Sequence, residues 1–406
     1  MTTDKLTYLR EQLKTELYEN ILPFWSNHTI DEEKGGFYGR ITNDLNIDKK
    51  ASKGLILNTR ILWTFSRVYN FSQKRQYLNI AERGFDYLMK NFNDRKYNGF
   101  FWRLDFQGNT KNDLKKSYGQ AFSIYSLAEF YKASKNVEAK KEAIRIFTLL
   151  EKHAHDDAKG GYFEVCNRDW TIADDQSLSP KDMNVDKSMN THLHILEAYT
   201  NLYKIWPDRR VKKKLIELVN IFMDHIIDHN SYHLRLFFDE NWENKSKEIS
   251  FGHDIECSWL LLETVQLLDN QKLQEKVNKI SLKMVQATLA GFNKKGGLYS
   301  GLNQDKELKK DFIWWIQAEA LVGLLNAYQL SHEKSLLEKI DRSWQFIKNN
   351  IVDNTYGEWF YKVSHNFQPY KTVHKVSNWK GPYHNSRACL QLINRIHNIK
   401  EGVSNG

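Results

Sequence analysis

The chain has 406 residues, of which 41% are hydrophobic and 27% are charged, and this globular composition leaves little room for extended disorder. Lysine and arginine outnumber aspartate and glutamate by 59 to 50, but the net charge of +9 is spread thinly, which argues against a nucleic-acid-binding stripe. The sequence contains no apolar run of about 18 residues, the length that a membrane span needs. Three isolated cysteines and a charged N-terminus without an apolar signal-peptide core predict a cytoplasmic protein.

A glycine–aromatic motif divides the chain into repeats. Five copies are recognisable directly: Gly35-Gly36-Phe37-Tyr38, Asn98-Gly99-Phe100-Phe101-Trp102, Gly160-Gly161-Tyr162-Phe163, Gly296-Gly297-Leu298-Tyr299 and Tyr356-Gly357-Glu358-Trp359-Phe360. Their key glycines lie 63, 62, 136 and 60 residues apart, so the one long interval predicts a further copy halfway along it. The aromatic but glycine-free stretch 232–238 occupies that place and brings the number of copies to six.

Between the copies, the hydrophobic residues follow a helical period. The first helix of a repeat is indicated at 55–68 and 121–131, and a second helix follows at 143–153, 215–227, 273–289 and 336–351. Each repeat is therefore predicted to be a turn or short extended piece, a helix, a short loop and a second helix. Six such pairs can form an open solenoid, a closed barrel or an ordinary helical bundle with incidental glycines.

Unusual polar and aromatic residues recur early in the first helix of the repeats, and this favours the closed barrel. Closure makes the same end of six inner helices converge on one funnel, whereas a solenoid needs polar-capped ends. The residues at these places are Arg60, Tyr118, Asn190, His192, His194, His253, Glu256, Trp314, Trp315, Gln317, Glu319, Trp379 and His384. We therefore predict an all-α fold, an (α/α)6 barrel of six helix-pair repeats, with the functional site at the funnel.

Three chemistries fit this cluster. His253 and Glu256, spaced i, i+3, suggest a metal site with the nearby histidines, but His192 and His194 point about 200° apart on a helix and cannot both face inward. Glu256 and Glu319 can serve as the carboxylate pair of a glycosidase, which leaves the histidines unexplained. Histidine is suited to moving protons near neutral pH, and Glu256 beside His253 would fix its tautomer and raise its pKa.

Four segments are specific enough to compare with known families. They are Asn190-Thr191-His192-Leu193-His194-Ile195-Leu196-Glu197-Ala198-Tyr199, Gly252-His253-Asp254-Ile255-Glu256, Trp314-Trp315-Ile316-Gln317-Ala318-Glu319 and Trp379-Lys380-Gly381-Pro382-Tyr383-His384-Asn385. In this order they resemble the N-acylglucosamine 2-epimerase superfamily and, within it, most closely the cellobiose 2-epimerases. The resemblance runs from about Leu6 to the last helix and implies a single (α/α)6-barrel catalytic domain over residues 1–406. Gly381 departs from the family pattern, which has cysteine at this loop position.

The resemblance implies an enzyme that inverts C2 of the reducing-end glucose of β-1,4-linked disaccharides without a metal or nucleotide cofactor. The reaction requires ring opening, removal of the proton alpha to the aldehyde, and reprotonation of the enediolate on its other face, for which histidines are suited. By resemblance, His253 and His384 transfer protons and His194 assists. The residues expected to bind the substrate or tune the histidines are Arg60, Tyr118, Asn190, Glu256 and Glu319, with Trp315 and Trp379 stacking on sugar.

Other functions stay open on the sequence. An aldose–ketose isomerase uses the same enediolate but protonates C1, and 2-epimerases acting on mannose or N-acylglucosamine share the superfamily. The non-enzymatic alternative is a carbohydrate-binding helical barrel, against which three convergent histidines argue, because recognition alone needs no titrating groups. The expected partner is a small sugar rather than nucleic acid or a membrane, and the expected state is a monomer or weak homodimer.

Overall fold

The structure is a computed structural model that describes residues 3–401. Its helices are α1 (Thr3–Thr15), α2 (Leu22–His28), α3 (Leu55–Ser72), α4 (Arg75–Tyr87), α5 (Ser117–Ser134), α6 (Val137–His153), α7 (Met189–Ile205), α8 (Arg209–Ile221), α9 (Phe251–Val265), α10 (Gln271–Thr288), α11 (Trp314–Ser331), α12 (Lys334–Asn350) and α13 (Tyr383–Glu401). Short π-helical segments join α1 to α2 (Glu16–Ile21) and extend α4 (Leu88–Phe92) and α8 (Phe222–Ile226), and a 3-10 turn (Leu289–Gly291) extends α10. The predicted domain spans 1–406, so its first two and last five residues lie outside the described part. Between residues 3 and 401, no helix has the length and apolar character to cross a bilayer.

Six helices form a closed ring. Going round the ring, α3, α5, α7, α9, α11 and α13 each contact the next, and α13 returns to contact α3. Each inner helix is covered by one outer helix: α4 on α3, α6 on α5, α8 on α7, α10 on α9, α12 on α11 and α1 on α13. The predicted (α/α)6 barrel is confirmed, and the solenoid and bundle alternatives are wrong. The outer partner of α13 is α1, so the first and last helices of the described chain pack together.

The two layers differ in how their side chains are buried. Every residue of α5 from Ser117 to Phe130 is buried, because an inner helix contacts neighbours on all sides. The outer helix α6 buries only one stripe, which includes Phe147 and Leu150, and most of its charged residues lie outside that stripe, although Glu142 is buried. The core of the molecule is therefore the space between the two layers together with the centre of the ring.

The outer helices begin earlier than their hydrophobic pattern predicts. The pattern places the starts of α6 and α8 at residues 143 and 215, whereas the helices begin at Val137 and Arg209. Both starts are capped, since the side chains of Asn136 and Asp208 accept hydrogen bonds from backbone N–H groups of the first turn. Periodicity detects the buried stripe, and each first turn adds only one buried residue to it, Ala139 in α6 and Val211 in α8, among polar neighbours.

Short antiparallel strands connect the repeats. They are β1 (Lys53–Gly54), β2 (Arg103–Leu104), β3 (Thr110–Asn112), β4 (Lys115–Lys116), β5 (Val165–Cys166), β6 (Lys187–Ser188), β7 (Phe237–Phe238), β8 (Gly301–Leu302), β9 (Leu308–Lys309), β10 (Phe312–Ile313) and β11 (Lys362–Val363). One sheet has the order β1-β2-β3, and the others are the pairs β4-β5, β6-β7, β8-β9 and β10-β11. In the β4-β5 pair, for example, Lys115 faces Cys166. Four of the strands, β1, β4, β6 and β10, run directly into inner helices and so fix where their first turns lie.

The glycine–aromatic motifs form six equivalent turns, which we call the aromatic turns. Each contains an antiparallel bridge: Ile30–Phe37, Asn93–Phe100, His155–Tyr162, Ile227–Leu234, Phe292–Leu298 and Val352–Trp359. The fourth bridge confirms the glycine-free copy predicted at 232–238. Gly161 shows why glycine recurs here, because its φ is +81° and an added Cβ would lie 2.5 Å from the Trp242 ring and 2.6 Å from the His192 ring.

Candidate active site

The N-terminal ends of the inner helices surround one cavity of about 480 Å³. Nine of the ten predicted site residues line it, and every inner helix or the segment before it supplies at least one: Arg60, Tyr118, Asn190, His194, His253, Glu256, Trp315, Trp379 and His384. The tenth, Glu319, is fully buried behind the cavity wall and contacts His384 from there. His192, which cannot face inward together with His194, lies outside this lining.

The common direction of the inner helices gives the cavity a favourable potential for anions. Each helix presents the unsatisfied N–H groups and partial positive charge of its first turn at the same end of the barrel. Tyr118, Asn190 and His384 are each the second residue of their helix. A negative charge that develops on a ligand in this cavity is therefore stabilised by the fold itself.

Three histidines line the cavity, and each of them has one ring nitrogen held by a hydrogen bond. The Nδ1 atoms of His194, His253 and His384 lie 3.0 Å from Glu197 Oε2, 2.7 Å from Ser250 Oγ and 2.7 Å from Glu319 Oε1, respectively. A carboxylate at Nδ1 holds the proton there, so Nε2 of His194 and of His384 is the basic nitrogen. Within residues 3–401, no hydrogen bond occupies Nε2 of any of the three. This nitrogen is left for a ligand.

Burial keeps two of these rings neutral. It lowers the pKa of His253 to about 3, with the nearby His194 lowering it further. It also lowers the pKa of His384 well below its usual range, and Arg60 and Arg387 add to this effect. At neutral pH both imidazoles are therefore uncharged and able to accept a proton.

The predicted pairing of His253 with Glu256 is wrong. His253 takes Ser250 Oγ as its partner, and Glu256 turns to Arg387, whose Nη2 lies 2.5 Å from Glu256 Oε1. The pKa of His253 is consequently lowered rather than raised. The spacing i, i+3 does give a histidine–glutamate pair one helix earlier, between His194 and Glu197.

A buried arginine that we did not select from the sequence holds the carboxylates beneath the cavity. Arg387 Nη2 donates to Glu256 Oε1 and to Glu319 Oε1, at 2.5 and 2.7 Å, and Nη1 contacts Glu197 Oε1 and the Tyr383 hydroxyl. One guanidinium thus bridges three carboxylates that come from α7, α9 and α11. Its position three residues after His384 repeats the i, i+3 spacing seen in the other helices, and this signal would have identified it.

Two buried acceptors at the cavity have no partner within the described residues. They are Glu256 Oε2 and Asn190 Oδ1. Burial, and then repulsion from Glu319, raises the pKa of Glu256 to about 7, while Arg387 opposes the shift. Because buried polar atoms without partners are rare, these oxygens are positions where a ligand with hydroxyl groups would donate.

The two tryptophans occupy different parts of the cavity. The Trp315 ring lies 4.7 Å from the ring of His253 and 5.5 Å from that of His384, between centroids. The Trp379 ring instead packs edge-on against Trp102 and Tyr118, at 5.8 and 5.9 Å. Trp315 is thus beside the histidines, whereas Trp379 forms a wall at the opposite side, next to Arg60, which donates to the Trp379 carbonyl.

A loop that the sequence analysis missed completes the cavity. Residues 178–182, between β5 and β6, line it. The loop is fastened by Lys116, whose ammonium donates to the carbonyls of Ser177 and Leu178 at 2.7 and 3.0 Å. It follows no hydrophobic period, so no sequence signal pointed to it.

At Gly381, an added Cβ would meet Arg60 Cβ at 3.4 Å, so glycine at this position is not required by space.

One group of side chains has the composition of a metal site. Ligand atoms of Glu256, Glu319 and His384 lie within 4.8 Å of one another. However, the Arg387 guanidinium already lies between the two carboxylates and supplies the positive charge that an ion would provide. The fit to a metal is therefore poor, because the ion and the guanidinium would compete for the same oxygens.

The chain is similar to known proteins over nearly its whole length. The sequence profile of the N-acylglucosamine 2-epimerase (GlcNAc 2-epimerase) family matches residues 36–388. This chain belongs to that family. It is 39% identical to the cellobiose 2-epimerase of Bacteroides fragilis over 386 residues and 40% identical to that of Dictyoglomus turgidum over 391, in each case covering 95% of this chain and at least 98% of the relative. The structure of the cellobiose 2-epimerase from Bacillus thermoamylovorans superposes with a TM-score of 0.92 at 35% identity, over 96% of this chain and 100% of that one. The chain is thus a carbohydrate epimerase, an enzyme of the isomerase class.

Proposed function

We propose that this epimerase inverts C2 of the reducing-end glucose of cellobiose and gives glucosyl-mannose. The observation that carries the proposal is the set of three histidines that line one cavity with Nδ1 anchored and Nε2 left for a ligand. Binding alone would not need three such groups. The cellobiose 2-epimerases that align along nearly the whole chain support the choice of substrate.

The proton transfers are assigned to His253 and His384. Once the ring of the glucose has opened, one neutral imidazole removes the C2 proton through Nε2 and leaves an enediolate. The other imidazole, also neutral in the free enzyme, takes up a proton from solvent once the enediolate lies beside it and delivers that proton to the opposite face of C2. The first imidazole releases the C2 proton to solvent, so both rings end neutral. One proton leaves and one returns, so no oxidant or reductant is needed. His194, anchored by Glu197, assists by exchanging protons with the sugar oxygens during ring opening.

The remaining groups hold the sugar and the developing charge. Arg60, whose Nη2 donates to the Tyr118 hydroxyl at 3.0 Å, brings a fixed positive charge to the cavity and stabilises the enediolate together with the helix N-termini. Glu256 Oε2 and Asn190 Oδ1 accept hydrogen bonds from sugar hydroxyls. Glu319 acts through His384 and so positions it rather than touching substrate.

We further propose that the reaction uses no metal, because Arg387 fills the place between Glu256 and Glu319. Exhaustive treatment with EDTA should leave the rate of epimerisation unchanged. Loss of activity that one divalent cation restores would contradict this assignment.

A cytoplasmic location is proposed as well, supported by three buried cysteines that remain free thiols, and cell fractionation would test it.

Proton NMR of cellobiose incubated with the enzyme in D2O tests the reaction. We expect deuterium at C2 and an aldose product, glucosyl-mannose. Cellobiitol, which has no aldehyde to form, is the matched control and should not exchange. A ketose product would instead identify an aldose–ketose isomerase, and an unchanged sugar would identify a binding protein.

A further inference from the structure

The opposite end of the barrel contains a second large cavity, which we call the rear cavity. It has a volume of about 650 Å³ and lies among the C-terminal halves of inner helices, where Arg67, Lys204, Glu263, Asn326, Gln329 and Arg395 line it. None of these residues takes part in the site at the N-terminal ends. The rear cavity is large enough for a small metabolite.

The side chains around Arg395 make this cavity rich in hydrogen-bond donors. The Arg395 guanidinium donates to three amide oxygens, those of Asn326, Gln329 and Gln391, at 3.0, 2.9 and 3.2 Å. Among the side chains that the structure describes, no carboxylate forms an ion pair with it. Because arginine can only donate, each amide must turn its oxygen toward Arg395 and keep its NH2 group for another partner.

One of these NH2 groups is buried without a partner. Asn326 is 2% exposed, and its Nδ2 makes no hydrogen bond within the described part of the chain. Leaving such a donor unsatisfied is costly, so its presence at a cavity wall indicates an acceptor that binds there.

The charges of the residues that line the rear cavity also favour a ligand that accepts hydrogen bonds. Three cations, Arg67, Lys204 and Arg395, face the rear cavity against one carboxylate, Glu263. Lys204 pairs with Glu263 at 2.6 Å, while Arg67 shares Glu129 with Lys132. Positive charge therefore remains in excess.

Basic residues at the C-terminal ends of helices can also serve to offset the helix dipoles. Arg395 does not cap a helix, because its hydrogen-bond partners are side-chain amides rather than the last carbonyls of a helix. Part of the positive charge offsets the helix dipoles at this end of the barrel, and the unpartnered Asn326 NH2 group is the feature that this offset does not explain.

We propose that the rear cavity binds an oxyanion of the phosphate type, held by the Arg395 guanidinium and the Asn326 amide. The site goes beyond the proposed epimerase reaction and does not depend on it. A smaller cavity that shares Arg67 and Lys204 continues inward as far as Glu197 and Arg387. A bound anion would therefore lie on the path to the residues that support the catalytic histidines.

Calorimetric titration with inorganic phosphate tests the proposal, with sodium chloride at equal ionic strength as the reference. The decisive variant is Asn326→Asp, which keeps an oxygen for Arg395 but replaces the free donor with a negative charge. Asn354→Asp, at an exposed surface position, makes the same change in net charge and is the matched control. We expect saturable binding in the wild type and the control, and a Kd raised at least about tenfold in Asn326→Asp.

A second arm uses glucose 1-phosphate to distinguish a free phosphate from a phosphorylated sugar. Tighter binding of glucose 1-phosphate would assign the cavity to a phosphorylated sugar, and equal binding would assign it to phosphate itself. Absence of saturable binding of both, or the same Kd in Asn326→Asp as in wild type, would overturn the proposal. Thermal unfolding of each variant without phosphate is the folding control, and none of the measurements requires turnover.

Discussion

Two sets of buried polar side chains lie on the same inner helices and differ in whether their hydrogen bonds are complete. His192 bonds through both ring nitrogens, Nδ1 to the Ser188 carbonyl and Nε2 to the Tyr162 N–H, at 2.7 and 2.9 Å. His194, two residues later, has one nitrogen anchored and the other facing the cavity. The first histidine braces an aromatic turn, and the second is available for chemistry.

The same contrast recurs around the ring. Gln120 and Gln317 use both ends of their amide on the N–H and carbonyl of Phe100 and Leu298, and so hold those aromatic turns as His192 holds its own. The residues two positions earlier, Tyr118 and Trp315, face the cavity instead. Burial and residue type are therefore poor guides to function in this fold, whereas an unfilled hydrogen-bonding position is a good one.

Removing the cation beneath the cavity should produce the largest effect. In Arg387→Met, the carboxylates of Glu197, Glu256 and Glu319 lose the charge that compensates them in a buried environment. We expect the free energy of unfolding to fall by about 3–5 kcal/mol. Urea denaturation measures it, and Arg387→Lys, which keeps the charge, should lose less. A loss below about 1 kcal/mol in Arg387→Met would show that the cluster does not depend on this arginine.

The next largest effect is expected at His384, whose ring nitrogen Nε2 makes no hydrogen bond within the described residues. His384 is the second residue of α13, directly after Pro382 and Tyr383, and it lines the cavity. In His384→Asn we expect deuterium exchange at C2 to fall at least about a hundredfold, the usual contribution of a general base, with the fold intact by circular dichroism. A folded variant that retains more than about a third of wild-type exchange would remove His384 from the reaction.

Much of this arrangement could be predicted because it repeats. The spacing of the aromatic turns gave the number of helix pairs, and equivalent positions in the pairs gave the cavity lining. Partners across the barrel could not be predicted in the same way. Helical spacing places Glu256 on the face of His253. It does not reveal that the His253 ring instead forms a hydrogen bond with Ser250, the residue that precedes the helix. Nor does it show that Arg387 lies within reach of three other helices.

A histidine whose hydrogen bonds are complete, such as His192, should affect the pH dependence of stability rather than the activity. Burial lowers the pKa of His192 to about 4, whereas an unfolded histidine titrates near 6.5. Between these values the unfolded chain binds a proton that the folded protein does not, so stability is full above about pH 6.5 and falls as the pH decreases. One such proton corresponds to a slope of about 1.4 kcal/mol per pH unit.

Replacing His192 with glutamine sharpens this test, because Gln120 and Gln317 show that glutamine can brace an aromatic turn. We expect His192→Gln to fold, to remain active, and to lose stability less steeply between about pH 6 and 4.5, by up to about 1.4 kcal/mol per pH unit. Urea unfolding at a series of pH values measures the slope. If wild type and variant show the same slope, His192 is not the buried neutral group that its contacts indicate.

The smallest expected effect distinguishes the two tryptophans of the cavity. Trp379 packs against Trp102 and Tyr118, away from His253 and His384, so its ring is placed to stack on the sugar that does not react. Stacking contributes on the order of 1 kcal/mol, so Trp379→Ala should raise KM for cellobiose about five- to tenfold more than KM for a monosaccharide.

Trp315→Ala is the matched comparison, because Trp315 touches both proton-transfer histidines and should affect the two substrates alike, mainly through kcat. Steady-state kinetics of both variants on cellobiose and mannose decides between the positions. An equal loss on the two sugars in Trp379→Ala would place this ring beside the reacting glucose instead. The second sugar would then have to lie along the loop 178–182, on the side of the cavity that the sequence did not predict.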